Sequence, residues 1–150
     1  MKMPRNILVP IDFSDTAETA LDYAVVLANK LDARVHLLNV IGVPALGVPE
    51  LGVALTASVI DSVVRSNQEA LDKLANARRH AVQIGEVMLR TGDARDVILK
   101  TADEVGADMI VMGTHGRRGV RRALLGSVAE SVVRTASCPV LTIHGHKDKT

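Results

Sequence analysis

One cysteine, one phenylalanine, one tyrosine and no tryptophan are spread over 150 residues. A lone cysteine excludes an internal disulfide. Cys138 stands beside Pro139 at the start of an apolar run and reads as a small buried hydrophobe rather than a reactive thiol. Phe13 and Tyr23 are too few to make a stacking platform for single-stranded nucleic acid. The core therefore falls to Val, Leu, Ile, Ala and Met. An excess of one charge is missing too, since 18 Lys and Arg face 17 Asp and Glu for a net charge of +1. That balance gives no broad field to draw the chain to nucleic acid or to a membrane. The apolar run in "MKMPRNILVPID" is short and ends at Asp12, which suits neither a signal peptide nor a membrane span. The "GxxxxGK", "CxxC", "HExxH" and "GxSxG" patterns are absent as well, so no catalytic set is visible. These absences leave a cytoplasmic protein as the expectation. It reads as one domain over 1–150 with a frayed tail at 145–150, its 47% hydrophobic content sufficient for a real core.

What is present is an alternation of apolar runs and helical repeats. "RNILVPI" (5–11) reads as a short strand. Residues 14–31 read as a helix with Ala17, Leu21, Ala24, Ala28 and Leu31 on one face and Ser14 or Asp15 as cap. "RVHLLNV" (34–40) is a second strand, and 61–83 lie in a long amphipathic helix along which Val59, Val63, Ala70, Leu74 and Ala81 roughly align. "EVMLR" (86–90) is a third strand, 93–105 a helix closed by Gly106, and "DMIVMG" (108–113) a fourth strand. "SVAESVVRTA" is the last helix and "PVLTIH" (139–144) the last strand. Strands alternating with helices mean an α/β fold, a parallel sheet covered on both faces. The continuous apolar runs 7–11 and 109–112 fit strands buried on both sides. Ligands of such sheets bind beyond the strand carboxyl ends, where strand order reverses. Asp12 and Gly113 both lie at strand ends and are candidates for that crevice. "GVPALGVPELGVAL" (42–55) reads as a variable surface loop or as a flap over a ligand. His144 and His146 lack a third partner, so no metal site is expected from side chains. His36 and His80 read as structural or exposed.

The stretch "MGTHGRRGVRRALLGSVAE" (112–130) joins the fourth strand to the last helix. Gly113, Gly116 and Gly119 let the chain turn and let backbone N–H groups approach a ligand. Gly126-Ser127 opens a helix whose first N–H groups have no internal partner and whose end carries a partial positive charge. A glycine-rich loop feeding a helix N-terminus is a phosphate site in physical terms. Arg117, Arg118, Arg121 and Arg122 add cationic charge nearby. A plainer reading stands beside this one: Gly113 only turns the chain, Ser127 and Glu130 form a capping box, and the arginines are a solvated face. His115 is the best candidate acid or base, but phosphoryl transfer also needs a metal site and an oriented nucleophile.

The spacing Gly113-x2-Gly116-x9-Gly126-Ser127 resembles the nucleotide-binding signature of the universal stress protein family. A chance match in this chain is below about 1% at average glycine usage. "ILVPIDFS" resembles the family's first strand, "GDARDVILKTADEVGADMIVMGTHGR" its third helix and fourth strand, and "GSVAESVVRTASCPVLTIH" its closing helix and strand. Only 42–55 and the tail go unmatched. The resemblance implies a Rossmann-like open parallel five-stranded sheet of order 3-2-1-4-5. It implies binding of ATP, or AMP or ADP, with Mg²⁺ held through the phosphates. Carried over by position, Pro10 and Met112 line the site, Asp12 binds the ribose or adenine side, and the backbone of Val40 reads adenine. Gly113 and Gly116 wrap the ribose and phosphates, and Gly126, Ser127 and Val128 hold phosphates. A homodimer through 139–144 is also implied. Three functions remain open: a nucleotide-dependent switch or sensor in the stress response acting through a protein partner or dimer, a slow ATPase or phosphotransferase, and a chaperone or scaffold that ignores nucleotide.

Overall fold

A computed structural model describes residues 2–42, 57–115 and 125–145. Five strands form one parallel sheet: β1 (Asn6–Pro10), β2 (Arg34–Ile41), β3 (Gln83–Thr91), β4 (Met109–Gly113) and β5 (Val140–Ile143). Their order is β3-β2-β1-β4-β5, as the resemblance implies. Four helices connect them: α1 (Asp15–Leu31), α2 (Ala57–Asn76), α3 (Ala94–Glu104) and α4 (Ser127–Thr135).

Strand alternation splits the core into two layers. Ile7, Val9, Val35, Leu37 and Val111 face a cluster with Ala20, Leu21, Ala24 and Ala28 of α1 and Leu71 and Ala75 of α2. Leu8, Leu38, Ile110 and Met112 face the other side, against Ile98 and Ala102 of α3 and Ala129 and Val132 of α4. Helices thus cover both faces, and β1 is buried from both. The alanine stripe of α1 lets that helix lie close on the sheet. Ser14 caps it by accepting from the Ala17 N–H at 3.1 Å. Asp93 caps α3 in the same way, accepting from the Asp96 N–H.

Two elements depart from the sequence expectations. The second helix stops at Asn76 rather than running to 83. Arg78 donates to the Leu74 carbonyl near its end and to Asp22 of α1, and the chain then turns so that Val82 enters the core. Its buried stripe is centred on Leu71 and Ala75, roughly a quarter turn from the aligned set, while Val59 is exposed. β3 begins at Gln83, earlier than the apolar run. A register shift between Val35 and Leu37 sets Gly85 and Glu86 opposite His36, a bulge that "QIGEV" hides in its weak strand formers. Cys138 is half-buried against the second layer, and burial pushes its thiol pKa up.

Candidate functional site

α1 leaves β1 toward one face of the sheet and α4 leaves β4 toward the other. The crevice between those two strand ends is where a doubly wound sheet takes its ligand. β1 is unzipped on both sides as it reaches this crevice. Toward β4 the pairing ends at Leu8↔Ile110, and Pro10 has no N–H with which to continue it. Toward β2 the last pair is Pro10↔Leu38, with the Ile11 N–H donating to the Leu38 carbonyl at 2.7 Å. A continued parallel ladder would next join the Val40 N–H to the Ile11 carbonyl and the Phe13 N–H to the Val40 carbonyl. Instead the Asn39 side-chain amide donates to the Ile11 carbonyl at 2.7 Å. Phe13 then adopts φ 63° and carries the chain out of the sheet. The N–H and C=O of Val40 are left pointing to the side that β1 has vacated.

Asp12 sits at that departure. Its Oδ1 accepts from the Ser14 N–H at 3.0 Å and the Ser14 hydroxyl at 2.5 Å. Ser14 in turn caps α1, so the Asp12 carboxylate is pinned beside a helix N-terminus. Asn39 is itself buried, and its Oδ1 accepts from Asn67 of α2 at 3.2 Å. Neither asparagine is among the sequence candidates. The polar residue inside "HLLNV" is the signal that marks the first of them.

Across the crevice the glycines serve close packing. A Cβ on Gly113 would lie 2.7 Å from the Thr16 methyl and 3.2 Å from the Thr16 carbonyl carbon, so the first turn of α1 rests directly on the end of β4. Gly126 donates its N–H to the Thr114 carbonyl at 2.5 Å, and a Cβ on it would lie 2.9 Å from that oxygen. This contact sets the N-terminus of α4 against the end of β4. The capping box of the plainer reading does not form. Gly126 is the N-cap, with no side-chain cap bond, and Ser127 is the first helical residue. The Glu130 carboxylate pairs with Arg134 at 2.9 Å instead. The helix begins one residue earlier than a Ser127 cap requires, so Ser127 and Glu130 stand at the first and fourth helical positions instead of the cap and third positions that the box needs. Thr114 is fully buried, with its Oγ1 3.0 Å from Nδ1 of His115.

The sequence profile of the Universal stress protein family matches residues 3–144. This chain belongs to the universal stress protein family. The universal stress protein MJ0531 of Methanocaldococcus jannaschii is 37% identical over 142 residues, covering 93% of this chain and 81% of its own. The solved structure of MJ0577, from the same organism, superposes with a TM-score of 0.85 at 27% identity and covers 98% of this chain and 100% of that one. The universal stress protein of Archaeoglobus fulgidus, solved in complex with dAMP, gives a TM-score of 0.64 at 26% identity over 95% of this chain and 99% of that one.

Within this universal stress protein, Pro10, Asp12, Val40, Gly113, Gly126 and Ser127 lie at or just beyond the strand and helix ends that flank this crevice. Met112 is buried, and Val40 and Val128 pack partly against the same apolar layer. That placement leaves their main-chain groups as what they can offer a ligand. Gly116, Gly119, the four arginines, residues 43–55 of the stretch read as a surface loop or a flap, and His146 lie outside the described residues. Among the described residues, no group of three His, Cys, Asp or Glu side chains is placed to hold a metal, and no helix is long and apolar enough to cross a membrane.

Proposed function

We propose that this protein belongs to the ATP-binding subset of its family and acts as a nucleotide-dependent stress-response switch. The observation that carries the reading is the double unzipping of β1. It leaves the Val40 N–H and C=O beside a pinned carboxylate, with a helix N-terminus across the crevice. An N–H and a C=O on one extended residue match the adenine edge, where N1 accepts and the 6-amino group donates. Adenine takes the place of the strand segment that β1 abandons. Asp12 takes the ribose hydroxyls through the carboxylate oxygen not bound to Ser14. Gly113 and Gly116 allow the chain to wrap the sugar and phosphates, with Pro10 and Met112 forming the floor. The first N–H groups of α4, at Ser127 and Val128, hold the phosphates, the Ser127 hydroxyl adds a donor, and Gly126, whose own N–H is spent on the Thr114 carbonyl, sets the helix end against the crevice. Mg²⁺ enters with the phosphates as the nucleotide's own counterion. The dAMP held by the Archaeoglobus fulgidus protein supports an adenine nucleotide as the ligand class.

Signalling is proposed to run through a second copy of the chain joined at β5, the edge of the sheet, or through a separate protein partner. Mass spectrometry of small molecules released from the purified protein, with calorimetric titration of ATP, tests the binding. Micromolar affinity for ATP is expected. Gly126→Val drives a branched side chain into the Thr114 carbonyl and shifts the first turn of α4, so it should weaken ATP binding by more than tenfold, about 1.4 kcal/mol. Its circular dichroism should stay native. Absence of adenine nucleotide and of binding heat in the parent protein would refute the reading, and unchanged affinity in the variant would refute the phosphate assignment.

A further inference from the structure

We propose that Asn39, held by Asn67, is a positioning residue that sets base selectivity by keeping the Val40 N–H away from the Ile11 carbonyl. The inference rests on the nucleotide reading above and deepens it. In a parallel ladder the Ile11 carbonyl is the natural acceptor for the Val40 N–H. If those two groups met, the donor that adenine needs would be consumed by the sheet. The Asn39 amide occupies that carbonyl first, at 2.7 Å. An asparagine amide can face either way, and only one orientation offers its NH₂ to a carbonyl. Asn67 selects this one, because its own NH₂ donates to the Asn39 oxygen at 3.2 Å. Asn39 is buried, so its amide has little water to fall back on. Asn67 lies on α2, the helix after β2, so the relay ties that helix to the residue beside Asp12. Neither asparagine need touch the ligand.

Inosine triphosphate is the discriminating probe. It keeps the ribose and phosphates of ATP but carries N1–H and a 6-oxo group, the reverse of adenine's acceptor and donor. A fixed Val40 edge rejects it, whereas an edge whose N–H is paired with Ile11 keeps only its carbonyl and discriminates less. The parent protein is expected to prefer ATP over inosine triphosphate by about 10- to 100-fold. Asn39→Leu, of similar volume but without the amide, should bring that preference to within about threefold, with inosine triphosphate binding altered less than about threefold. Asn67→Ala leaves β2 untouched and should lower the preference by about three- to tenfold, so it carries the test if the Asn39 variant fails to fold.

A purely structural role would depress both affinities together and preserve their ratio. That result in the folded variants overturns the proposal. Equal binding of the two triphosphates by the parent protein also overturns it while leaving nucleotide binding standing. Failure of the parent to bind either one removes the functional reading itself.

Discussion

His36 shows how one side chain can close a defect in a sheet. The bulge in β3 turns the Glu86 N–H out of the regular ladder, and Nδ1 of His36 accepts it at 2.9 Å. Nδ1 must then be unprotonated, so Nε2 carries the hydrogen and donates to the Asn6 side-chain oxygen at 3.1 Å. Gly85 is required beneath it, because a Cβ there would overlap the imidazole ring. Burial pushes the His36 pKa below its usual range and the nearby Arg34 pushes it further, with Glu86 opposing. Protonation would put a second N–H against that of Glu86. The sign follows from linkage: a histidine with a folded pKa below its unfolded value contributes stability that is whole above the unfolded value, about 6.5, and is lost as pH falls toward the folded one. The thermal midpoint should therefore drop as pH is lowered from 7 to 5. His36→Gln, which cannot titrate, should lose that component of the slope. Matching slopes for parent and variant across this range would show that other groups carry the pH dependence.

At the scale of elements, strands and helices with a strong period are legible in the chain, and departures from the period are not. The alanine face of α1 and the apolar runs of β1 and β4 fall where their residues predict. The end of α2 escapes because Arg78 and Val82 act through tertiary contacts that periodicity does not carry. The candidate site is half legible for the same reason. Asp12 and Gly113 are visible as chemistry at strand ends, but the Asn39 amide and the packing of Gly113 on Thr16 are long-range contacts. Apart from the family resemblance, Pro10 is legible as a residue in a strand, and its effect lies in the bond it withholds from β4. Pro10→Ala supplies that N–H. The regained bond and the looser unfolded chain oppose one another, so stability should stay within about 1 kcal/mol of the parent. The crevice should narrow as β1 pairs further along β4. Titration calorimetry should find ATP binding several-fold weaker, and an affinity equal to the parent's would mean that Pro10 does not hold the crevice open.

For the whole molecule, the edges of the sheet decide how it can assemble. β3 and β5 are the two edge strands. β5 is short, and all four of its residues are only half-buried. Its ladder with β4 fixes which backbone groups face outward. The Pro139 carbonyl accepts from Ile110 and the Ile143 carbonyl from Thr114, so residues 139, 141 and 143 turn their backbone toward β4. Strand alternation then points the N–H groups of Val140 and Thr142 away from the sheet. An outward row of donors and acceptors is a template for a second copy of the same strand. A symmetric pair of β5 strands would extend the sheet across a twofold axis and place two nucleotide crevices in one particle. Thr142→Pro tests this with little damage to the monomer, since it deletes an outward N–H and leaves the bonds to β4 in place. Light scattering should give twice the 16.0 kDa chain mass for the parent and the single-chain mass for the variant. The variant should keep its ATP affinity, because β5 lies on the far side of β4 from Val40 and Asp12. A variant that keeps the doubled mass would place the dimer contact elsewhere, and a parent of single-chain mass would leave the switch to act through a different partner.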